Sequence, residues 1–372
     1  MSRYTIAIGK IFGIPIELDY SWFLIFSLLT GVLAVNYYPS EFKHWSVAEY
    51  WFMGAITAVM LFVSVLLHEL GHSLVARQYK VKVQKITFFI FGGVSQIAGE
   101  PPSAGAEFWI AITGPVVSFA LAIIFRGLQL LVVNVAPLLA LTKYLVLLNV
   151  VLGVFNLTPG FPLDGGRVFR AIVWGVNRNF QRATVIAAVT GRLFGFLFIF
   201  LGVWQILAGN FFNGLWTAFI GWFLESAAAS QLQQQLVKDL LVGHKVSEMM
   251  KRDYMQVSGD ITLQELVDKH VLSGGHRCFI VNRSGAFVGL VTLSDIKKTP
   301  RSTWPTTTVA QAMIPANKLV SIQPNSEVWT TIDKMGRDGI NQLPVVQGDA
   351  VVGLLSRDDI IHYLGILRTL ST

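Results

Sequence analysis

The residues best suited to chemistry lie in Leu67-His68-Glu69-Leu70-Gly71-His72, an H-E-x-x-H pattern within a long apolar run. If the run is helical, His68 and His72 fall one turn apart on one face, where both imidazoles reach a single ion. Glu69 is offset from that face and free to act as a general base. Three ionisable groups within one turn of an apolar segment are costly in lipid and mark a functional centre. A catalytic zinc takes three protein ligands and keeps one position for water. The third ligand expected is Asp164, in Asn156-Leu-Thr-Pro159-Gly-Phe-Pro162-Leu-Asp164-Gly165-Gly166, where two prolines and three glycines break a helix. Broken backbone at membrane depth is tolerated where protein buries it or where it lines a wet cavity. The competing reading of Asp164 is a solvated Asp-Gly turn on a short connection. The chemistry that follows is hydrolysis with one Zn2+ per chain: the ion polarises a carbonyl and acidifies its water, and Glu69 moves the proton.

The elements that must position these groups are membrane spans. Of 372 residues, 53% are hydrophobic and 14% charged, and the mean hydropathy is +0.56. Soluble domains carry about 25% charged residues, so much of the chain is expected in lipid. Six segments are long enough to cross it as helices: 18–38, 51–75, 108–133, 138–157, 184–207 and 211–229. The first follows Arg3 and Lys10 without a cleavage site and is read as retained. Arg77, Lys80, Lys82 and Lys85 follow the second span, and Arg167, Arg170, Arg178 and Arg182 follow the fourth. Positive loops stay in the cytoplasm, which sets the N-terminus, the metal-proximal helix ends and the tail on that side of the cell membrane. This clustering also accounts for the net charge of +7 without a nucleic-acid partner. The lone Cys278 excludes an internal disulfide and fits a reducing compartment. Residues 81–99, β-branched and aromatic around Gly92-Gly93, read as a β-hairpin. Its edge either receives an extended strand from another chain or simply plugs the fold. Arg126 and Arg192, inside spans, are expected to snorkel or to pair with a carboxylate. His44, His244, His270, His276 and His362 show no ligand spacing.

After Ser230 the character changes. Residues 231–243 read as a polar linker or amphipathic helix, and the tail is an ordinary α/β sequence with an internal repeat. Val246-Ser-Glu-Met-Met250 matches Val309-Ala-Gln-Ala-Met313, and Val288–Ile296 matches Val352–Ile360. Each copy needs its neighbour to bury its apolar face. The divisions expected are 1–230, a linker at 231–243, and repeats at 244–300 and 301–372.

HExxH in one span, with Asn156-x-x-Pro159 and Asp164-Gly165 after another, resembles the site-2 protease family of intramembrane zinc metalloproteases. Gly92-Gly93 and Thr113-Gly114-Pro115 are similar to that family too, and the resemblance covers residues 1–230. It implies His68, His72 and Asp164 as zinc ligands and Glu69 as the acid/base. It also implies a membrane-protein substrate, such as a membrane-anchored transcription regulator or an anti-sigma factor. Asn156 is expected either to bond the substrate backbone or oxyanion or to cap its helix. The hairpin near Gly92 and Gly93 is expected to hold the substrate extended. The tail resembles a tandem pair of CBS domains. That resemblance implies an adenine nucleotide at Thr292, Asp295, Ser356 and Asp359, or else a pair that only forms a homodimer or braces the spans. Gly274-Gly275-His276 departs from the usual apolar stretch. The fold class expected is an α-helical polytopic membrane domain, six transmembrane helices plus a short β-hairpin, with a C-terminal α/β tandem CBS domain. The rival functions are a CBS-gated transporter or channel and an inactive metal-binding scaffold. The first leaves HExxH without a purpose, and the intact Glu69 argues against the second.

Overall fold

Ile14 and Ile16 are buried on alternate positions of Ile14–Asp19, a strand period, and this segment forms a hairpin with Thr5–Ile11, β2 with β1. Phe12 and Gly13 turn it, both with positive φ, at 50° and 77°. This computed structural model describes residues 5–90, 92–348 and 350–370, in two compact units, Met1–Gln235 and Leu236–Thr372. The expectation that a span begins at Leu18 is corrected here. Leu18 lies in strand β2, and the first helix, α1 (Ser21–Glu41), starts after Asp19, whose carboxylate accepts from the Ser21 amide and hydroxyl.

Helix α2 (Val47–Gln78) opens on a capping box of Ser46 and Glu49 and runs 32 residues, about 48 Å at 1.5 Å per residue. Strands β3 (Lys82–Phe89) and β4 (Gly92–Ala98) follow. The hairpin expected at 81–99 is therefore present, but it is half of a four-stranded sheet in the order β1-β2-β3-β4. Strand β2 pairs with β3 in parallel, Ile16 against Ile86. A parallel pair needs a long crossover, and α1 and α2 supply it. Ile14, Ile16, Ile86 and Phe88 pack on Leu70 of α2.

The remaining helices of this unit are α3 (Ala104–Leu131), α4 (Ala136–Asn156), α5 (Asp164–Asn177), α6 (Phe180–Leu207) and α7 (Phe211–Leu241). Among the described residues, α1, α2, α3, α4 and α6 are long and apolar enough to cross a membrane. Helix α7 is as long, but Asn213, Glu225 and its glutamine-rich end dilute its apolarity. Residues 231–241, set apart above as linker or helix, are the last turns of α7. Helices α6 and α7 meet backbone to backbone: a Cβ added at Gly195, Gly202, Gly214 or Gly221 would lie 2.4–2.7 Å from a backbone atom of the other helix. Arg192 Nε donates to Glu225 Oε1 across that contact at 2.8 Å, the carboxylate pairing expected of it.

The second unit contains α8 (Val246–Met249), β5 (Gln256–Ser258), α9 (Leu263–Leu266), β6 (Cys278–Arg283), β7 (Ala286–Thr292), α10 (Leu293–Lys298), α11 (Val309–Ala312), β8 (Ile314–Pro315), α12 (Val328–Asp338), β9 (Gln342–Gln347), β10 (Ala350–Ser356) and α13 (Arg357–Leu370). The repeats exchange their opening segments. Val246 and Met249 of α8 are buried with Met335, Leu343 and Leu355 of the second repeat. Val309 of α11 is buried with Phe279, Val281 and Val291 of the first. Likewise β8 pairs with β7, and Lys251 bridges to Leu354 of β10.

Candidate metal centre and active site

Helix α2 presents His68 and His72, each 3% exposed. Helix α3 lies against them at Gly114, where an added Cβ would sit 2.2 Å from His72 Nε2 and 2.6 Å from His68 Nε2. Only glycine fits there. One turn to either side of Gly114, α3 supplies the groups that orient the rings: the Ile110 carbonyl lies 2.6 Å from His72 Nδ1, and Ser118 Oγ lies 2.8 Å from His68 Nδ1. Asp164 is the first residue of α5. Gly165 and Gly166 let that first turn rest on the backbone of residues 157–161, where an added Cβ would come within 2.3 Å of a backbone atom. The solvated-turn reading of Asp164 therefore does not hold: its side chain is only 16% exposed.

Asp164 Oδ2 lies 3.0 Å from His68 Nε2 and 3.1 Å from His72 Nε2, and the two Nε2 atoms are 3.2 Å apart. A carbonyl oxygen can only accept, so in a neutral imidazole His72 Nδ1 carries the proton and Nε2 offers a bare lone pair. Electron-pair donors thus converge on one point, a set that fits a divalent cation. Ligands about 2.0–2.1 Å from a tetrahedral zinc stand roughly 3.3–3.4 Å apart, close to the spacing seen. Bonds from ligating imidazoles to a carbonyl or hydroxyl fix the tautomer in the same way.

Glu69 faces strand β4. Its Oε2 accepts from the Ser95 amide at 3.1 Å and from the Ser95 hydroxyl at 2.5 Å. Gly93 makes room for it, since a Cβ there would lie 2.9 Å from Glu69 Cγ. His68, Glu69, His72, Gly92, Gly93, Asn156 and Asp164 all line one cavity of about 590 Å³. Apolar residues of α1 and α4 and Trp216 of α7 complete its lining. Asn156 is the last residue of α4. Sequence reasoning missed Ser95 and Ser118, which carry no motif of their own. It also missed the Glu107–Arg170 pair. Glu107 of α3 is fully buried, and Arg170 Nε of α5 donates to its Oε1 at 2.8 Å. The guanidinium also lies over Phe161 and Phe180. Helices carrying the metal-orienting groups and Asp164 are thereby tied together.

In the second unit, Thr292, Asp295 and Ser356 line a cleft of about 640 Å³ with Arg277, Lys318 and Arg357. Ser356 and Asp359 line a smaller one of about 260 Å³. Both aspartates are engaged. Asp295 Oδ2 accepts from the Thr292 amide and hydroxyl and its Oδ1 from Lys298; Asp359 Oδ2 accepts from Ser356 in the same way and its Oδ1 pairs with Lys251. They cap α10 and α13.

The profile of Peptidase family M50 matches residues 56–140 and 131–201, and that of the CBS domain matches 246–302 and 304–366. The Rip3 protein of Mycobacterium tuberculosis is 33% identical over 98% of this chain and 94% of its own length. The zinc metalloprotease MJ0392 of Methanocaldococcus jannaschii is 31% identical over 98% of each chain. A solved structure, the site-2 protease from Methanocaldococcus jannaschii, is 34% identical over 62% of this chain and 95% of that one, with a TM-score of 0.45. With full-length relatives at this identity, the chain belongs to peptidase family M50: it is an integral membrane metalloprotease of the site-2 type that carries a CBS pair.

Proposed function

We propose that His68, His72 and Asp164 hold one zinc per chain and that Glu69 is the acid/base in peptide-bond hydrolysis within a six-span membrane domain. The observation that carries this reading is the convergence of three electron-pair donors on one point beside a half-buried glutamate and a cavity. A bound zinc supplies Lewis-acid polarisation and a water acidified toward neutrality. Glu69 accepts the water proton at Oε1, the oxygen that Ser95 does not engage, and returns it to the leaving amine. Asn156 donates to the substrate backbone or the developing oxyanion. The substrate lies extended along the β4 edge at Gly92 and Gly93, because a helix hides its carbonyls in internal hydrogen bonds. A single-pass membrane protein, such as a membrane-anchored transcription regulator or an anti-sigma factor, fits the cavity's apolar wall. The N-terminus and the CBS pair face the cytoplasm, following the basic loops.

The test is metal content and cleavage measured together on purified protein in detergent. Wild type is expected to hold about one zinc and to cut a transmembrane substrate. Glu69→Gln keeps the zinc and loses cleavage; Asp164→Ala loses both. A Glu69→Gln protein that still cuts removes the mechanism.

At the tail, the reading is an adenine nucleotide held at Thr292, Asp295, Ser356 and Asp359, with Arg277, Lys318 and Arg357 toward its phosphates, in a pair that also associates as a homodimer. A carboxylate suits a vicinal diol, and binding requires the lysine now on each aspartate to yield. Titrating ATP and AMP against cleavage of one substrate checks this, and identical rates throughout discard regulation by nucleotide.

A further inference from the structure

Strand β4 does more than border the cavity. The Ser95 hydroxyl and amide both end on Glu69 Oε2, at 2.5 and 3.1 Å. The hydroxyl is itself oriented, because Ser73 Oγ, one turn beyond Glu69 on α2 and fully buried, donates to Ser95 Oγ at 3.2 Å. The Ser95 hydroxyl donates to Glu69, closely to Oε2 at 2.5 Å and more distantly to the Glu69 carbonyl at 3.4 Å. Gly93, two residues earlier on the same face of β4, leaves the carboxylate stem its space. Glu69 is therefore clamped at Oε2, leaves Oε1 without a bond to Ser95, and lines the cavity.

We propose that Ser95 is a positioning residue for the general base, with Ser73 fixing its hydroxyl, so that the strand edge that holds the substrate also sets the aim of Glu69. The inference rests on the assignment of Glu69 as the base. Losing a hydrogen bond to a charged group in this setting corresponds to about 10- to 100-fold in rate.

The experiment compares Ser95→Ala, Ser95→Thr, Ser73→Ala and Glu69→Gln in full-length protein, each with zinc content, kcat and KM on one transmembrane substrate. Ser95→Ala is expected to lower kcat roughly 10- to 100-fold with zinc content and KM close to wild type. Ser95→Thr, which keeps a hydroxyl, restores most of the rate, and Ser73→Ala gives a smaller loss of kcat. If Ser95→Ala cuts at the wild-type rate while Glu69→Gln is dead, the positioning role is overturned. Loss of zinc in Ser95→Ala, or a Thr variant as slow as Ala, makes Ser95 a packing residue and also overturns it. An active Glu69→Gln overturns the base itself, a separate outcome.

Discussion

Single atoms decide the metal centre. Gly114→Ala places a methyl on the two Nε2 atoms, so zinc affinity is expected to fall at least tenfold, read by metal content after dialysis against a chelator. Cys278 is a contrasting case. Burial, helped by Asp295 nearby, pushes its thiol up to about 12. It stays a protonated thiol at neutral pH and is expected to resist a thiol reagent at pH 8 until denaturant is added, when one equivalent reacts. The HExxH residues were legible because their spacing is itself the geometry, two imidazoles on one helical turn. Asp164 was legible from the proline and glycine residues around it. Ser95 and Ser118 were not, because a serine that bonds a ligand or a base looks in sequence like any other serine.

Elements bring distant residues together through contacts that composition does not reveal. Strand β2 carries a period-two pattern that the apolar run beyond Leu18 obscures. Helix α5 was overlooked since Pro159, Gly160 and Pro162 lie just before it and Gly165-Gly166 open it, so that the whole stretch reads as loop. Glu107 and Arg170 stand 63 residues apart, and only the packing of α3 on α5 pairs them. Glu107→Gln leaves a buried guanidinium without its charge partner, which costs about 3–5 kcal/mol, whereas replacing both residues with methionine is close to neutral. Thermal unfolding and zinc retention of the two variants should therefore rank the double above the single. In the tail, an added Cβ at Gly289 meets Met313 Sδ at 2.7 Å, and one at Gly353 meets Met250 Sδ at 2.7 Å. The repeated methionine and glycine are thus one contact made twice, each between opposite repeats.

At the scale of the whole molecule, the repeat in the tail sequence announced two copies but not their exchange of first helices. Alternation and spacing mark elements and say nothing of which copy receives them. Leu241 of α7 is fully buried with Val246 and Met335, so the tail's core begins before its first repeat. Leu241→Ala is expected to cost the tail about 2–5 kcal/mol, measured by denaturant unfolding followed at Trp329. Removing metal should abolish cleavage while leaving that transition unmoved, since its core lies in residues 236–372.

The parallel pairing of β2 with β3 also imposes an order on assembly. Residues 5–19 are made before Lys82–Phe89, so the flank of β2 that β1 does not cover has no strand beside it until β3 and both intervening helices have been made. Closing a loop of that length before the β2–β3 contacts reward it is slow. Strand β2 is therefore flanked on both sides only after the chain has returned through α1 and α2, which ties completion of the sheet to the placing of those two helices.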